Sequence, residues 1–196
     1  VREFVSFYGA AARRYREAGM DGVEVLASQG YGIGQFLNEQ SNQRHDRYGG
    51  SFENRLRFVV EIAEAVRASV GDDFPIGIRI SGDEMNPMGM KLPEVVAICA
   101  ALDAKNCFDY YNIIAGSSTT LGGAIHIVPP MAIKNGYVAP FAAAVRAKIT
   151  KPVLVAGRIN QPQIAEDVLA SGQADIIGMT RAMIADPKMP MKAREG

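Results

Sequence analysis

The apolar positions of this chain switch between two periods, and the switching predicts strand and helix in repeated alternation. Phe4, Val5, Tyr8, Ala11, Ala12 and Tyr15 recur at spacings of three and four, the mark of one helix face. Gly19 stands where helices often end. The run 22–27 (GVEVLA) is short, apolar and β-branched, as a strand buried on both sides requires. Ser51 can cap a helix whose stripe is Phe52, Leu56, Val59, Ala63 and Val66. The run 76–81 (IGIRIS) reads as the next strand and 92–104 as its helix. A strand at 110–116 (YYNIIAG) follows, then a long loop and a return helix over 141–148. A strand at 152–157 (PVLVAG) precedes a helix signalled by Asn160 and Pro162, and 174–179 (ADIIGM) is the last strand. Short strands alternating with longer helices mean repeated βαβ units and a parallel sheet.

Two architectures fit that alternation, a doubly wound sheet and a TIM (β/α)8 barrel. A dinucleotide-binding sheet needs a G-x-G-x-x-G turn that opens its first helix, and the glycines of 30–35 (GYGIGQ) lead into a long polar loop instead. Gly157 and Gly178 close two consecutive strands, and the phosphate site of a TIM barrel lies after its last two. That pairing favours the barrel, with 1–196 as a single domain.

Composition narrows the partners. At 196 residues, 48% apolar and 21% charged, the chain is an ordinary globule large enough to bury a core. A formal net charge of zero gives no reason to expect nucleic acid or an anionic membrane as partner. No apolar run approaches the roughly eighteen residues of a membrane span, and the amphipathic N-terminus does not read as a signal peptide. Cys99 and Cys107 lie in apolar surroundings and read as buried thiols, which suits a reducing cytoplasm.

Between Ala27 and Phe58 the chain reads ASQGYGIGQFLNEQSNQRHDRYGGSFENRLRF. Gly30, Tyr31, Gln35, Phe36, Leu37, Asn42, Arg44, Asp46, Tyr48, Gly49, Gly50, Ser51, Asn54, Arg55 and Phe58 stand at fixed spacings within it. This stretch resembles the segment after the fourth barrel strand in the old yellow enzyme superfamily of FMN-dependent oxidoreductases. It is most similar to the branch that holds 2,4-dienoyl-CoA reductase and trimethylamine dehydrogenase, and the likeness continues, diluted, to the C-terminus. The resemblance implies that the five strands are the fourth to eighth of the barrel, with strands one to three expected before Val1.

The residues that could carry chemistry fall into three groups. Arg79 sits on an apolar interior strand, so it either pairs with an acid at the barrel mouth or meets a ligand there. The resemblance implies the ligand: an Arg at this strand end lies against the N1–C2=O edge of the flavin and favours its reduction. Gly157 with Arg158, and Gly178 and Met179 with Arg181, supply close backbone N–H groups and cations at two strand ends, as a phosphate requires. A short helix over 182–186 would face the same anion, and in the family these positions hold the FMN phosphate. Tyr31 matches a tyrosine that protonates the substrate carbon in the reductase branch, with packing at the barrel rim as its plainer alternative. Gln29 stands where the amine dehydrogenases carry a His, and Gln cannot titrate. His126, in the loop after the sixth barrel strand, is either a catalytic His or a hydrogen-bonded structural one. Asn42, Arg44, Asp46, Tyr48, Gly49, Gly50, Asn54 and Arg55, the residues most typical of the family it resembles, read as structural, and His45 as solvent-facing.

The expected activity is hydride transfer from NAD(P)H through FMN to an activated alkene, an enone or enoyl thioester. Two alternatives stay open: an amine dehydrogenase or N-demethylase passing electrons to a 4Fe-4S cluster whose ligands lie outside this chain, and a truncated fragment without flavin. An open barrel leaves unpaired N–H and C=O rows at its edge strands. The chain alone is therefore expected not to hold FMN productively, and to need the N-terminal strands or another chain.

Overall fold

The structure, a computed structural model, describes residues 1–195. The apolar runs form five parallel strands, β1 (Val23–Leu26), β2 (Ile76–Asp83), β3 (Tyr110–Ala115), β4 (Val153–Ala156) and β5 (Ile176–Gly178). Each pairs with the next in chain order, so β1 and β5 are the two edges. Nine helices are interspersed among the described residues: α1 (Arg2–Glu17), α2 (Gly32–Leu37), α3 (Phe52–Val70), α4 (Leu92–Ala104), α5 (Leu121–Ile127), α6 (Ala139–Arg146), α7 (Pro162–Ala170), α8 (Arg181–Ala185) and α9 (Met189–Glu195). Parallel strands in strict sequence order, each crossed by helices, are the wall of a TIM barrel, and five strands make part of one.

The wall has two unlike faces because side chains alternate along a strand. Ile76, Ile78 and Ile80 of β2, Tyr111 and Ile113 of β3, and Val153 and Val155 of β4 are completely buried. They share one core with Val59, Ile62 and Val66 of α3 and Val95, Ile98 and Leu102 of α4. Each such aliphatic side chain contributes roughly 1.5–3 kcal/mol. The alternate residues, Glu24 and Leu26, Gly77 and Arg79, Asn112, Leu154 and Ile176, belong to the barrel interior. Leu26 is 38% and Ile176 45% exposed, so the two edge strands leave that face open.

The helices depart from the sequence pattern in instructive ways. Phe4 and Tyr15 are exposed, although they fall on the predicted stripe of α1. The docking face is Val5, Tyr8, Gly9 and Ala12, because α1 lies so near α3 that a Cβ on Gly9 would stand 3.0 Å from the Ala65 carbonyl oxygen. Small residues set the rotation of the helix, and the aromatics are left outside. The segment after Gly30 opens directly into α2, where a loop was expected. The loop after β3 also holds a helix, α5, capped by Thr120 Oγ1, which accepts from the Gly123 N–H at 3.1 Å. Ser51 caps α3 as predicted, accepting from the Asn54 N–H at 3.3 Å. α6 begins at Ala139 and α7 at Pro162, with Gln161 rather than Asn160 before it.

Loop 38–51 is held by its own polar side chains. Asn42 Nδ2 donates to the carbonyls of Phe36 and Tyr48 at 2.7 and 2.8 Å, and Asn54 Nδ2 to that of Gly49 at 3.1 Å. Arg55, 7% exposed, donates to the carbonyls of Leu37 and Gly50 and pairs with Glu94. Arg44, and then the Tyr48 N–H, pull the Asp46 carboxyl down to about 2. A Cβ on Gly49 would lie 2.2 Å from the Arg44 carbonyl oxygen, and Gly50 adopts φ 77°, so both glycines are required. His45 is exposed. No helix among the described residues is long and apolar enough to cross a membrane.

Burial raises the thiols of Cys99 and Cys107 to about 12 and about 11, which removes the thiolate at neutral pH. Both should therefore resist iodoacetamide at pH 8 in the native protein and react fully in denaturant. Mass spectrometry of the labelled peptides checks this, and rapid native labelling of Cys99 would contradict it.

Candidate functional site

Parallel strands present all their C-terminal ends on one side, and a cleft of about 590 Å³ opens beyond those of β3, β4 and β5. Seven of the eight candidate residues line it: Arg79, His126, Gly157, Arg158, Gly178, Met179 and Arg181. Tyr31 does not. It is half-exposed at the start of α2, two residues beyond Gln29, which does reach the cleft.

The strand ends β4 and β5 form the polar side. The backbone N–H groups of Gly157, Arg158, Met179 and Thr180 have no acceptor among the described residues. Arg158 takes a left-handed φ of 53°, a turn that exposes successive amides. Unpaired amides beside two guanidinium groups favour an anion. Neither Arg158 nor Arg181 meets a carboxylate among the described residues, and Asp186, also on the cleft, is tied to Lys192 at 2.9 Å. The two guanidinium groups instead fasten a neighbouring segment. Arg158 donates to the carbonyls of Ile133 and Met131, and Arg181 Nη1 to that of Pro129 at 3.0 Å. Both retain further N–H donors.

The two glycines also have a packing reason that the sequence does not show. A Cβ on Gly157 would lie 2.2 Å from Val138 Cγ2, and one on Gly178 would lie 2.9 Å from Ala156 Cβ. Packing of the protein against itself requires both glycines.

His126 lies in the last turn of α5 rather than in an irregular loop. Its ring stands 5.5 Å from that of Tyr137, whose hydroxyl donates to the His126 carbonyl at 2.6 Å. Burial raises the Tyr137 phenol to about 12, which keeps it a donor. His126 Nδ1 is buried with no partner among the described residues. Gln29 is held at φ 62° by its neighbours: its carbonyl accepts from both the N–H and Oγ of Ser118, at 3.0 and 2.8 Å.

Arg79 combines the two readings that the sequence left open. Its Nη1 lies 3.9 Å from Glu24 Oε1, and the side chain also lines the cleft. Asn112 completes the group, with Nδ2 donating to both Glu24 oxygens at 3.1 and 2.9 Å. Sequence reasoning passed over Glu24 and Asn112. The signal was present, because each is a lone polar residue in an apolar strand, on the same alternation as Arg79.

The model of the NADH:flavin oxidoreductase / NADH oxidase family matches residues 1–196. The chain is 39% identical over 185 residues to the N,N-dimethylglycine/sarcosine dehydrogenase of Chromohalobacter salexigens, covering 94% of this chain and 27% of that protein. Among solved structures it resembles 2-naphthoyl-CoA reductase in complex with 2-naphthoyl-CoA, with a TM-score of 0.91, 36% identity, and coverage of 100% of this chain and 29% of that one. Histamine dehydrogenase from Rhizobium sp. 4-9 gives a TM-score of 0.88 at 31% identity, over 100% of this chain and 28% of that one. The chain spans less than a third of each of these proteins.

Gly157→Ala should strain the end of β4 against Val138 and destabilise the protein by roughly 1–3 kcal/mol. Adding Val138→Ala should recover part of the loss in thermal unfolding. A single variant that melts with the parent would contradict the packing argument.

Proposed function

Because the chain belongs to the NADH:flavin oxidoreductase / NADH oxidase family, we propose that it forms the phosphate-binding and catalytic rim of an FMN site that reduces an activated alkene. The observation that carries this reading is the row of unpaired amides at the ends of β4 and β5 with Arg158 and Arg181 beside it and Arg79 on the same cleft. Those groups suit a phosphate at one end of the cofactor and an electron-rich ring edge at the other. When bound, FMN supplies the two-electron relay between nicotinamide and substrate.

The residues divide the remaining work. The amides of Gly157, Arg158, Met179 and Thr180 hold the phosphate, and the two arginines balance its charge. Arg79 places a cation where negative charge develops during reduction. In the net reaction the hydride of NAD(P)H ends on one alkene carbon and a proton on its neighbour. Tyr31, on the rim beyond Gln29, donates that proton, and His126 is the second candidate because its Nδ1 is unpartnered. What supports a larger assembly around this cleft is the open interior face at β1 and β5, which further strands or another chain would cover.

A second reading is oxidative N-demethylation of a small amine, with electrons leaving to an iron–sulfur cluster outside this chain. The 39% identity to the dimethylglycine/sarcosine dehydrogenase favours it. Gln29 weighs against it, since an amide cannot serve as a base there. Enone reduction assayed beside amine oxidation on the full-length protein separates the two.

Two outcomes test the site. Arg158→Ala with Arg181→Ala should weaken FMN binding by at least ten- to hundred-fold, since each charge-assisted bond is worth roughly 1.5–3 kcal/mol. Fluorescence titration of the apoprotein measures this, and parental affinity in the double variant would remove the phosphate assignment. Tyr31→Phe should slow alkene reduction by about 10²–10⁴-fold while sparing flavin reduction by NAD(P)H. In stopped-flow half-reactions, a loss of only a few-fold would pass the proton to His126 or water.

A further inference from the structure

Arg79 makes no side-chain hydrogen bond among the described residues, although a buried or half-buried arginine ordinarily spends its donors on the protein. Only the charge of Glu24, at 3.9 Å, attends it. That distance is beyond the usual 2.7–3.2 Å of a hydrogen bond. The reason lies one layer further down the wall. Register pairs Glu24 with Gly77 and Leu26 with Arg79, so Glu24 sits beside a position on β2 that has no side chain. Gly77 is required there, because a Cβ would lie 2.0 Å from the Tyr110 ring. The Tyr110 ring of β3 fills the space over Gly77 and brings its phenol to Glu24, where burial and then the carboxylate's charge raise that phenol to about 12. The Glu24 carboxylate thus reaches β3, where Asn112 also grips both of its oxygens. Asn112 is 4% exposed, and register places it opposite Arg79. Amide and phenol together turn the carboxylate away from a direct fork with the guanidinium. Arg79 is left oriented by charge with its donors free toward the cleft.

Building on the flavin reading above, we infer that Glu24 is a positioning residue, held by Asn112 and Tyr110, that aims Arg79 at the cleft and sets how much of its positive charge a bound flavin feels. A carboxylate closer to Arg79 would quench the cation and occupy its donors. No carboxylate would leave the charge at full strength and the side chain free to leave the cleft. The arrangement also accounts for two otherwise unexplained polar residues inside apolar strands.

The test uses the FMN-loaded full-length protein and sulfite, which adds to the flavin more tightly as positive charge near the ring increases. Glu24→Gln keeps an acceptor for Asn112 and removes the charge. It should tighten sulfite binding about tenfold, read by bleaching near 450 nm, and raise the midpoint potential. Glu24→Asp should return both toward the parent. In an Arg79→Met background, Glu24→Gln should change sulfite affinity less than about twofold. Parental sulfite affinity and potential in Glu24→Gln, with only a lower melting temperature, would make Glu24 merely structural and overturn the inference. So would a full-size effect that persists without Arg79, since Glu24 would then act on the flavin directly. Should Glu24→Gln fail to load flavin, Asn112→Ser combined with Tyr110→Phe carries the test. It releases the carboxylate toward Arg79 and should weaken sulfite binding, and unchanged affinity there refutes the role. Failure of the parental protein to bind FMN at all would instead overturn the flavin reading, on which this inference rests.

Discussion

Every strand in this chain runs the same way, and that constraint governs the rest of the structure. Parallel neighbours cannot be joined by a tight turn, so each pair is linked by a crossover that buries the outer side of the sheet. Ile76, Ile78, Ile80, Tyr111, Ile113, Val153 and Val155 take up that burden. With one face committed to aliphatic packing, polar chemistry is confined to the inner face and to the rim where the strands end. Arg79, Gly157 and Gly178 come together from three strands for this reason, although they lie far apart in sequence.

The same constraint explains what could be read in the chain beforehand. Strands were legible because burial on both sides leaves continuous apolar runs, and their order follows once the crossovers are helical. The cleft was legible because glycine and arginine recur together at two strand ends. The face that α1 presents was not, since its rotation depends on how near Gly9 brings it to the carbonyl of Ala65 on another helix. Nor was α5, a helix whose cap is a single Thr120 in a run of small polar residues. The packing cause of Gly157 was equally hidden. It depends on Val138, nineteen positions earlier, a partner that no local pattern names.

Polar side chains inside this molecule do two kinds of work. In loop 38–51, Asn42, Asn54 and Arg55 satisfy backbone carbonyls and hold an irregular segment in one conformation. Such residues dominate the family's most recognisable stretch, yet none of them lines the cleft. On the inner face, Glu24, Asn112 and Arg79 bond chiefly to one another or to nothing. Most of the stretch that marks the family therefore does structural work, away from the cleft.

Gln29 binds the rim together in a way that bears on how such a protein can change. Its carbonyl takes two bonds from Ser118, so the loop after β1 and the loop after β3 are stitched at one point. Neither can be lengthened or exchanged alone without either pulling out that stitch or dragging the other along. Variation in what the cleft accepts must therefore arrive as paired changes in two distant parts of the chain. A designer who transplants one loop from a relative will need to bring its companion as well.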